Sequence, residues 1–289
     1  MATGKLYLLP TTISETDLDA VIPSQVAARA RQITRFYVEA AKTARAYLKA
    51  LAHPLPIASL VIEEIGHDPD PTKLTLWLQP VLDGEDAAIV SESGCPGVAD
   101  PGAQLVAKAH ELGIPVVPLT GPSSILLTVM ASGLDGQRFR FCGYLPIHEE
   151  ERKAAVLALE AQSRHSETQL FIETPYRNAS LLASLLAWLS PSTRVTVATD
   201  VTGQSEAITT LTVQQWRARV GTTPELPKLP TVFAILAAPH GEAPRYASQN
   251  ASRKGSRQER PVSGHGHRAH ARSSHAKATR RSSTGSSSR

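Results

Sequence analysis

The chain of 289 residues is long enough for two domains, and a hydrophobic content of 42% supplies a real core, which excludes a short disulfide-stapled module. Its formal net charge of +4 points to a nucleic-acid binder only until it is divided by region. Residues 241–289 hold 11 Lys/Arg against 2 Asp/Glu, whereas residues 1–240 hold 19 against 24, a net −5, so the basicity belongs to a tail and not to the body.

The opening MATGKLYLLP carries one lysine and a very short apolar run, and reads as a first strand rather than a signal peptide. From there β-rich runs alternate with helical patterns. RFYV is followed by EAAKTARAYLKAL, AAIVSE by AQLVAKAHEL, and PVVPL by SSILLTVMASGL. RFRFCGY leads into EEERKAAVLALEAQ, and TQLFIET into NASLLASLLAWL. The last strands, RVTVATD, AITTLT and PTVFAIL, come close together, the first two across a Gly-containing turn that predicts an antiparallel component. The alternation predicts an α/β fold of two domains, mostly parallel in residues 1–120 and mixed in 121–239, with the break near Thr120–Gly121. No stretch of eighteen apolar residues occurs, so no transmembrane helix is expected.

From about His240 the sequence is rich in Ser, Arg, His and Gly and nearly free of large apolar residues. Such a segment buries too little surface to offset its ordering entropy and is predicted to be disordered. Its histidines, at 265, 267, 270 and 275, leave adventitious metal binding open. Its charge fits either a solvated tail or a non-specific tether to RNA or another polyanion.

Three places read as helix starts aimed at a ligand crevice: Asp100-Pro101-Gly102, Gly121-Pro122-Ser123 and Thr174-Pro175-Tyr176. Each pairs a capping residue with proline in the first helical position and leaves backbone N–H groups pointing outward. SESGCPGVADPG, residues 91–102, fixes its backbone with three glycines and two prolines in front of the first of them. In FIETPYR, Arg177 falls in the first turn of its helix, where the dipole disfavours a cation. Glu173, four residues earlier, is its expected partner, either as a structural pair or as part of a site.

Several chemistries lack their signature. No GxxxxGK[ST] supports a P-loop, and LLPTTI stands where a GxGxxG would follow the first strand. No GxSxG elbow and no zinc-ligand spacing occurs, and no metal is predicted. Cys95 and Cys142 are too few for a disulfide framework, which favours a reduced, cytoplasmic setting, and both read as small buried hydrophobes.

The ordered motifs SESGCPGVADPG, PLTGPSSILLTVMASG, FRFCGYLP, ERKAAVLAL and LFIETPYRN resemble the tetrapyrrole-methylase superfamily. More narrowly they resemble the branch of the ribosomal RNA small-subunit (cytidine 2′-O) methyltransferases and its shorter paralogues. The resemblance runs from the first strand to about Leu236. It departs at TTISETDLD, where the RNA enzymes carry a GNL-type loop, and at VEAAKTAR, where they carry an acidic-Thr-Arg stretch.

The resemblance implies a homodimeric methyltransferase that folds S-adenosylmethionine into a cleft between two α/β domains. Carried over by motif, Pro10 ends the first strand beside the cleft, and Ser93, Gly94, Cys95 and Val98 hold the amino-acid end and ribose of the cofactor. Ser123 and Ser124 belong to a second binding segment, while Glu173, Pro230 and Thr231 lie near the adenine pocket. Cys95 stands where superfamily members often have Asp or Thr. Glu173 or Glu39 would serve a hydroxyl nucleophile as base. Lys42, Arg45 and Arg177 are candidates to meet an anionic substrate, with a solvated helix face as the other reading of the first two. The acceptor implied first is RNA; a tetrapyrrole or other small molecule, and a non-catalytic SAM-binding or RNA-associated role, remain as alternatives.

Overall fold

The computed structural model describes residues 2–221 and 224–237. The first half runs β1 (Leu6–Leu9), α1 (Leu18–Val21), α2 (Ser24–Ala30), β2 (Arg35–Val38), α3 (Ala41–Ala50), β3 (Val61–Glu64), α4 (Leu74–Leu82), β4 (Ala87–Val90), α5 (Gly102–Glu111) and β5 (Val116–Pro118). Its strands form one parallel sheet in the order β3-β2-β4-β1-β5. Helices cover both faces. Val26, Ala30, Ala44 and Leu48 of α2 and α3 pack on Phe36, Val38 and Leu9 on one side. Trp77, Leu78, Val81 and Leu105 of α4 and α5 pack on Tyr37, Leu6 and Ile89 on the other. A strand covered on both faces must be apolar throughout, which is why AAIV of β4 is a run and not an alternation.

The order of strands places a topological switch between β1 and β4. The chain leaves β1 towards β2 on one side and leaves β4 towards β5 on the other. The loops after these two strands therefore part, and a crevice opens at their carboxyl ends.

The second half runs α6 (Ser124–Ser132), β6 (Phe139–Tyr144), α7 (Glu149–Ser163), β7 (Thr168–Glu173), α8 (Asn178–Trp188), β8 (Arg194–Thr199), β9 (Ala207–Thr212), α9 (Val213–Val220) and β10 (Thr231–Leu236). Its sheet has the order β6-β7-β10-β8-β9, with β6 and β7 parallel and the remaining pairs antiparallel. Val156, Leu182, Leu185 and Trp216 of α7, α8 and α9 bury one face around the stacked rings of Phe171 and Phe233. Ile125 and Val129 of α6 cover the other face, against Leu170, Val232 and Ala234. Buried Glu160 ties α7 to the turn before β8, accepting from Ser190 N at 2.7 Å and from Thr193 Oγ1 at 2.5 Å.

All nine expected strands and five expected helices are present, including the antiparallel β8–β9 pair. Besides the single-turn α1, four further elements carry no strong sequence signal. β3, VIEE, is a half-exposed edge strand with two glutamates. α4 contains Pro80, yet Leu74, Trp77, Leu78 and Val81 recur at the helical interval and packing overrides the breaker. α2 is short, and α9 opens on a capping box between Thr212 and Gln215.

The helix starts need correction in detail. Only Pro175 takes the first helical position, in a single 3₁₀ turn, Pro175–Arg177, ahead of α8. Pro122 lies outside α6, whose cap is Ser123, accepting from Leu126 N at 3.4 Å. α5 begins at Gly102, after Pro101, and Asp100 acts as a loop clamp. The predicted tail, with His265, His267, His270 and His275, lies outside the described residues. Among the described residues no helix is long and apolar enough to cross a membrane.

Candidate functional site

A cavity of about 340 Å³ is walled by both sheets. Ile13 and Ser14, after β1, and Ser93, Val98 and Ala99, after β4, line it from the first half. These are the two loops that part at the switch between β1 and β4. From the second half come Ser124 and Ile125 at the start of α6, Phe141 and Tyr144 of β6, and Ile172 and Glu173 of β7. Ala198, Val201, Pro230, Thr231 and Val232 complete the floor.

Backbone builds the first wall. Gly94 and Gly97 have φ of +73° and +77°, and Ala99 holds +54°, a conformation that costs a residue with a Cβ. The loop is held by Asp100, whose Oδ1 accepts from Gly97 N at 3.0 Å and Gly102 N at 2.9 Å. Thr11 N donates to Gly94 O at 2.9 Å, joining the loops after β1 and β4. The Cys95 thiol donates to Pro122 O at 3.4 Å, joining the second of these to the segment before α6. A Cβ on Gly121 would lie 2.2 Å from Pro10 Cγ, so that contact admits glycine alone. Tyr47 fixes Pro10 in turn by donating to its carbonyl at 2.6 Å. Burial pushes the Cys95 thiol above the ordinary range, so it is a neutral thiol at physiological pH and not a thiolate.

Side chains build the second wall. Glu173 is buried, and its Oε1 accepts from Arg177 Nη2 at 2.6 Å and from Thr174 N at 2.7 Å. This pair resolves the anomaly of a cation in a first helical turn, and the carboxylate raises the Arg177 guanidinium above its usual value. Glu173 Oε2 is buried and has no partner, so one lone-pair face of a buried carboxylate is left for whatever enters the cavity. Beside it, Asn178 Nδ2 donates to Leu229 O at 2.9 Å and Thr231 Oγ1 at 3.0 Å, and the Thr231 and Thr199 hydroxyls meet at 3.1 Å.

A model of the tetrapyrrole (corrin/porphyrin) methylases matches residues 22–216, two thirds of the sequence and most of both halves. The chain belongs to this family. Among curated members it is similar to ribosomal RNA small subunit methyltransferase I of Micromonospora olivasterospora, 33% identical over 186 residues, covering 64% of this chain and 56% of that one. The protein of the same name from Escherichia coli O157:H7 is 30% identical over 205 residues, covering 71% and 68%. The chain thus spans a little over half to two thirds of the length of these relatives. Among solved structures the methyltransferase CobJ superposes with a TM-score of 0.55 at 19% identity, covering 81% of this chain and 94% of that one, which shows the fold.

Of the residues singled out in this methylase-family sequence, Ser93, Val98, Ser124, Glu173, Pro230 and Thr231 line the cavity. Pro10, Gly94, Cys95 and Ser123 form the layer that braces it. Arg177 stands behind Glu173 as its ion-pair partner. Glu39, Lys42 and Arg45 are not brought to it. Glu39 Oε1 meets the exposed His67 Nδ1 at 3.0 Å, and Lys42 and Arg45 are exposed on α3. The sequence reading passed over Ile13, Ser14, Phe141, Tyr144, Ala198 and Val201. The sequence offered one turn signal, the Asp and Gly of VATDVTGQ beside Val201, and in the structure Asp200 and Thr202 there hold positive φ next to Gly203.

Proposed function

We propose that this chain is an S-adenosylmethionine-dependent methyltransferase acting on ribosomal RNA at a ribose 2′-hydroxyl. The observation that carries the reading is the buried, unpartnered Glu173 Oε2, in a cavity whose opposite wall, at Ser93, Val98 and Ala99, belongs to a loop held at positive φ by Gly94 and Gly97. The name shared by the matched relatives supports ribosomal RNA as the acceptor. We take residues 1–120 and 121–239 as the two domains that share the cavity.

The residues present fit the cofactor. Ser93, Gly94, Cys95 and Val98 would hold its amino-acid end and ribose, where the glycine lets an atom approach the backbone. Ser123 and Ser124 would bracket it from the α6 terminus, and Pro230, Thr231 and Glu173 would hold the adenosine, with Oε2 accepting from a hydroxyl or amino group. When bound, the group supplies an electrophilic methyl on a sulfonium. What this chain contributes is alignment of acceptor and cofactor in a preformed cleft. Of the two candidate bases, Glu173 lines the cavity, whereas Glu39 is engaged by His67 away from it.

Within this reading the protein works in the cytoplasm, and its basic tail contacts RNA non-specifically. We also infer a homodimer. Leu126 and Met130 are 53% and 77% exposed on α6 while Thr128 and Ser132 of the same helix are buried, so α6 presents an apolar outer face. Met130→Glu is expected to give a monomer by light scattering, and an unchanged mass would remove the dimer from this reading.

The deciding experiment has two parts. Calorimetry with S-adenosylmethionine and S-adenosylhomocysteine is expected to show binding of both, and absence of both would sink the reading. Labelled-methyl transfer into total RNA from a deletion strain is expected to mark one ribosomal site, and no incorporation would move the acceptor to a small molecule.

A further inference from the structure

A second cavity, of about 620 Å³, opens beside α3. Its walls are the loop after β1, from Thr11 to Leu18, one face of α3, and the end of β4 through Glu92. Seven lining side chains carry a hydroxyl and two, Glu15 and Glu92, a carboxylate; none carries a positive charge. Leu18, Ala44, Val90 and the Tyr47 ring supply apolar surface between them.

The two cavities share one residue, Ser14, and its hydroxyl is buried without a partner. An unmet buried hydroxyl costs about 1–3 kcal/mol, so a ligand group that reached Ser14 at this junction would gain by meeting it. Glu92 is held in position, its Oε1 accepting from Thr43 Oγ1 at 2.5 Å and from Ala40 N at 3.3 Å.

We infer that this second cavity seats the acceptor nucleoside of a single RNA strand, its ribose towards Ser14; the inference rests on the methyltransferase reading above. The lining selects for the chemistry. Carboxylates and hydroxyls accept from ribose hydroxyls and from an exocyclic amine, and the apolar surface suits the face of a base. With no cation in the lining, a phosphate or an acidic side chain is disfavoured. A tetrapyrrole bearing several carboxylates would bring them against Glu15 and Glu92 with no counter-charge. The strand's phosphates stay outside, where Lys42 and Arg45 are exposed on the same helix. This gives the two cations that miss the first cavity a place in the same recognition. A single-stranded acceptor avoids most of the cost of taking a base out of a stack.

The test uses the full chain with S-adenosylhomocysteine, and saturation-transfer NMR with the four free nucleosides and a single-stranded hexaribonucleotide. At least one nucleoside is expected to bind, and the hexanucleotide at least about tenfold more tightly through its phosphates. A Lys42→Ala/Arg45→Ala double variant should remove that advantage and leave the nucleoside's affinity intact. Ala46→Trp, which fills the cavity from the exposed side of α3, should abolish nucleoside binding and leave the affinity for S-adenosylhomocysteine within about threefold. Should Ala46→Trp fail to fold, Glu15→Lys at an exposed position is expected to weaken nucleoside binding in the same way. A wild-type chain that binds S-adenosylhomocysteine but no nucleoside, or Ala46→Trp and Glu15→Lys chains with undiminished nucleoside binding, would overturn the inference. A chain that binds nucleoside but neither S-adenosylmethionine nor its product overturns the methyltransferase reading and keeps the nucleoside site.

Discussion

The two walls of the first cavity are made from different material. On the β1/β4 side the shape is backbone, with glycines at positive φ, an Asp100 clamp and a Gly121–Pro10 contact with no room for a Cβ. On the β7/β10 side it is a network of buried side chains around Glu173, Asn178, Thr199 and Thr231. A backbone wall tolerates changes of side-chain chemistry and fails when an atom is added. A side-chain wall fails when a partner is removed, because the remaining group stays buried and unmet.

The sharpest way to break this comparison is Gly121→Ala. The added carbon would displace Pro10 and the end of β1, and misplacement of that order costs about 100-fold in turnover. Labelled-methyl transfer measures it, and an unchanged rate would show that the contact relaxes freely. Next comes Glu173→Ala, expected to weaken binding of S-adenosylhomocysteine by about tenfold or more in calorimetry, with Glu173→Gln between it and wild type. Arg177→Ala should follow Glu173→Gln in direction; binding and turnover both unchanged would leave the ion pair a purely structural role.

Asn178→Ala tests the same wall through stability. Losing two hydrogen bonds at a buried position should cost about 1–3 kcal/mol, lowering the thermal midpoint by about 2–4 °C per kcal/mol. Cys95→Thr sits at the mild end. Its thiol makes one long contact in a wall held by backbone, so stability should change by less than about 1 kcal/mol. Both thiols, Cys95 and Cys142, are raised by burial, which gives the smallest effect. Above the ordinary thiol pKa of about 8.5 the unfolded chain releases these protons before the folded one, so stability falls as pH rises and is unaffected below. Denaturant midpoints from pH 7 to 10 should therefore fall more for wild type than for a Cys95→Ser/Cys142→Ser double variant.

Much of this was legible in order along the chain. Buried parallel strands such as AAIV announce themselves as apolar runs, and Arg177 in a first turn called for Glu173 before any fold was known. β3 and α4 were not legible, because a charged edge strand and a proline-bearing helix are carried by their neighbours. Glu39 resembled a base by type and position, yet its strand end faces His67 and not the cavity.

The sequence by itself determined the alternation of strands and helices, the rigid loop at SESGCPGVADPG and the opposite charges of body and tail, since these follow from local sterics and composition. Only the tertiary structure decided that Ser14 joins two cavities and that Tyr144 and Val201 belong to one of them. It also decided which carboxylate is left with an unmet oxygen. Those facts depend on strands far apart in sequence meeting at one edge, and the pairing of β1 with β4 and of β7 with β10 is set by packing of whole faces and not by any local stretch.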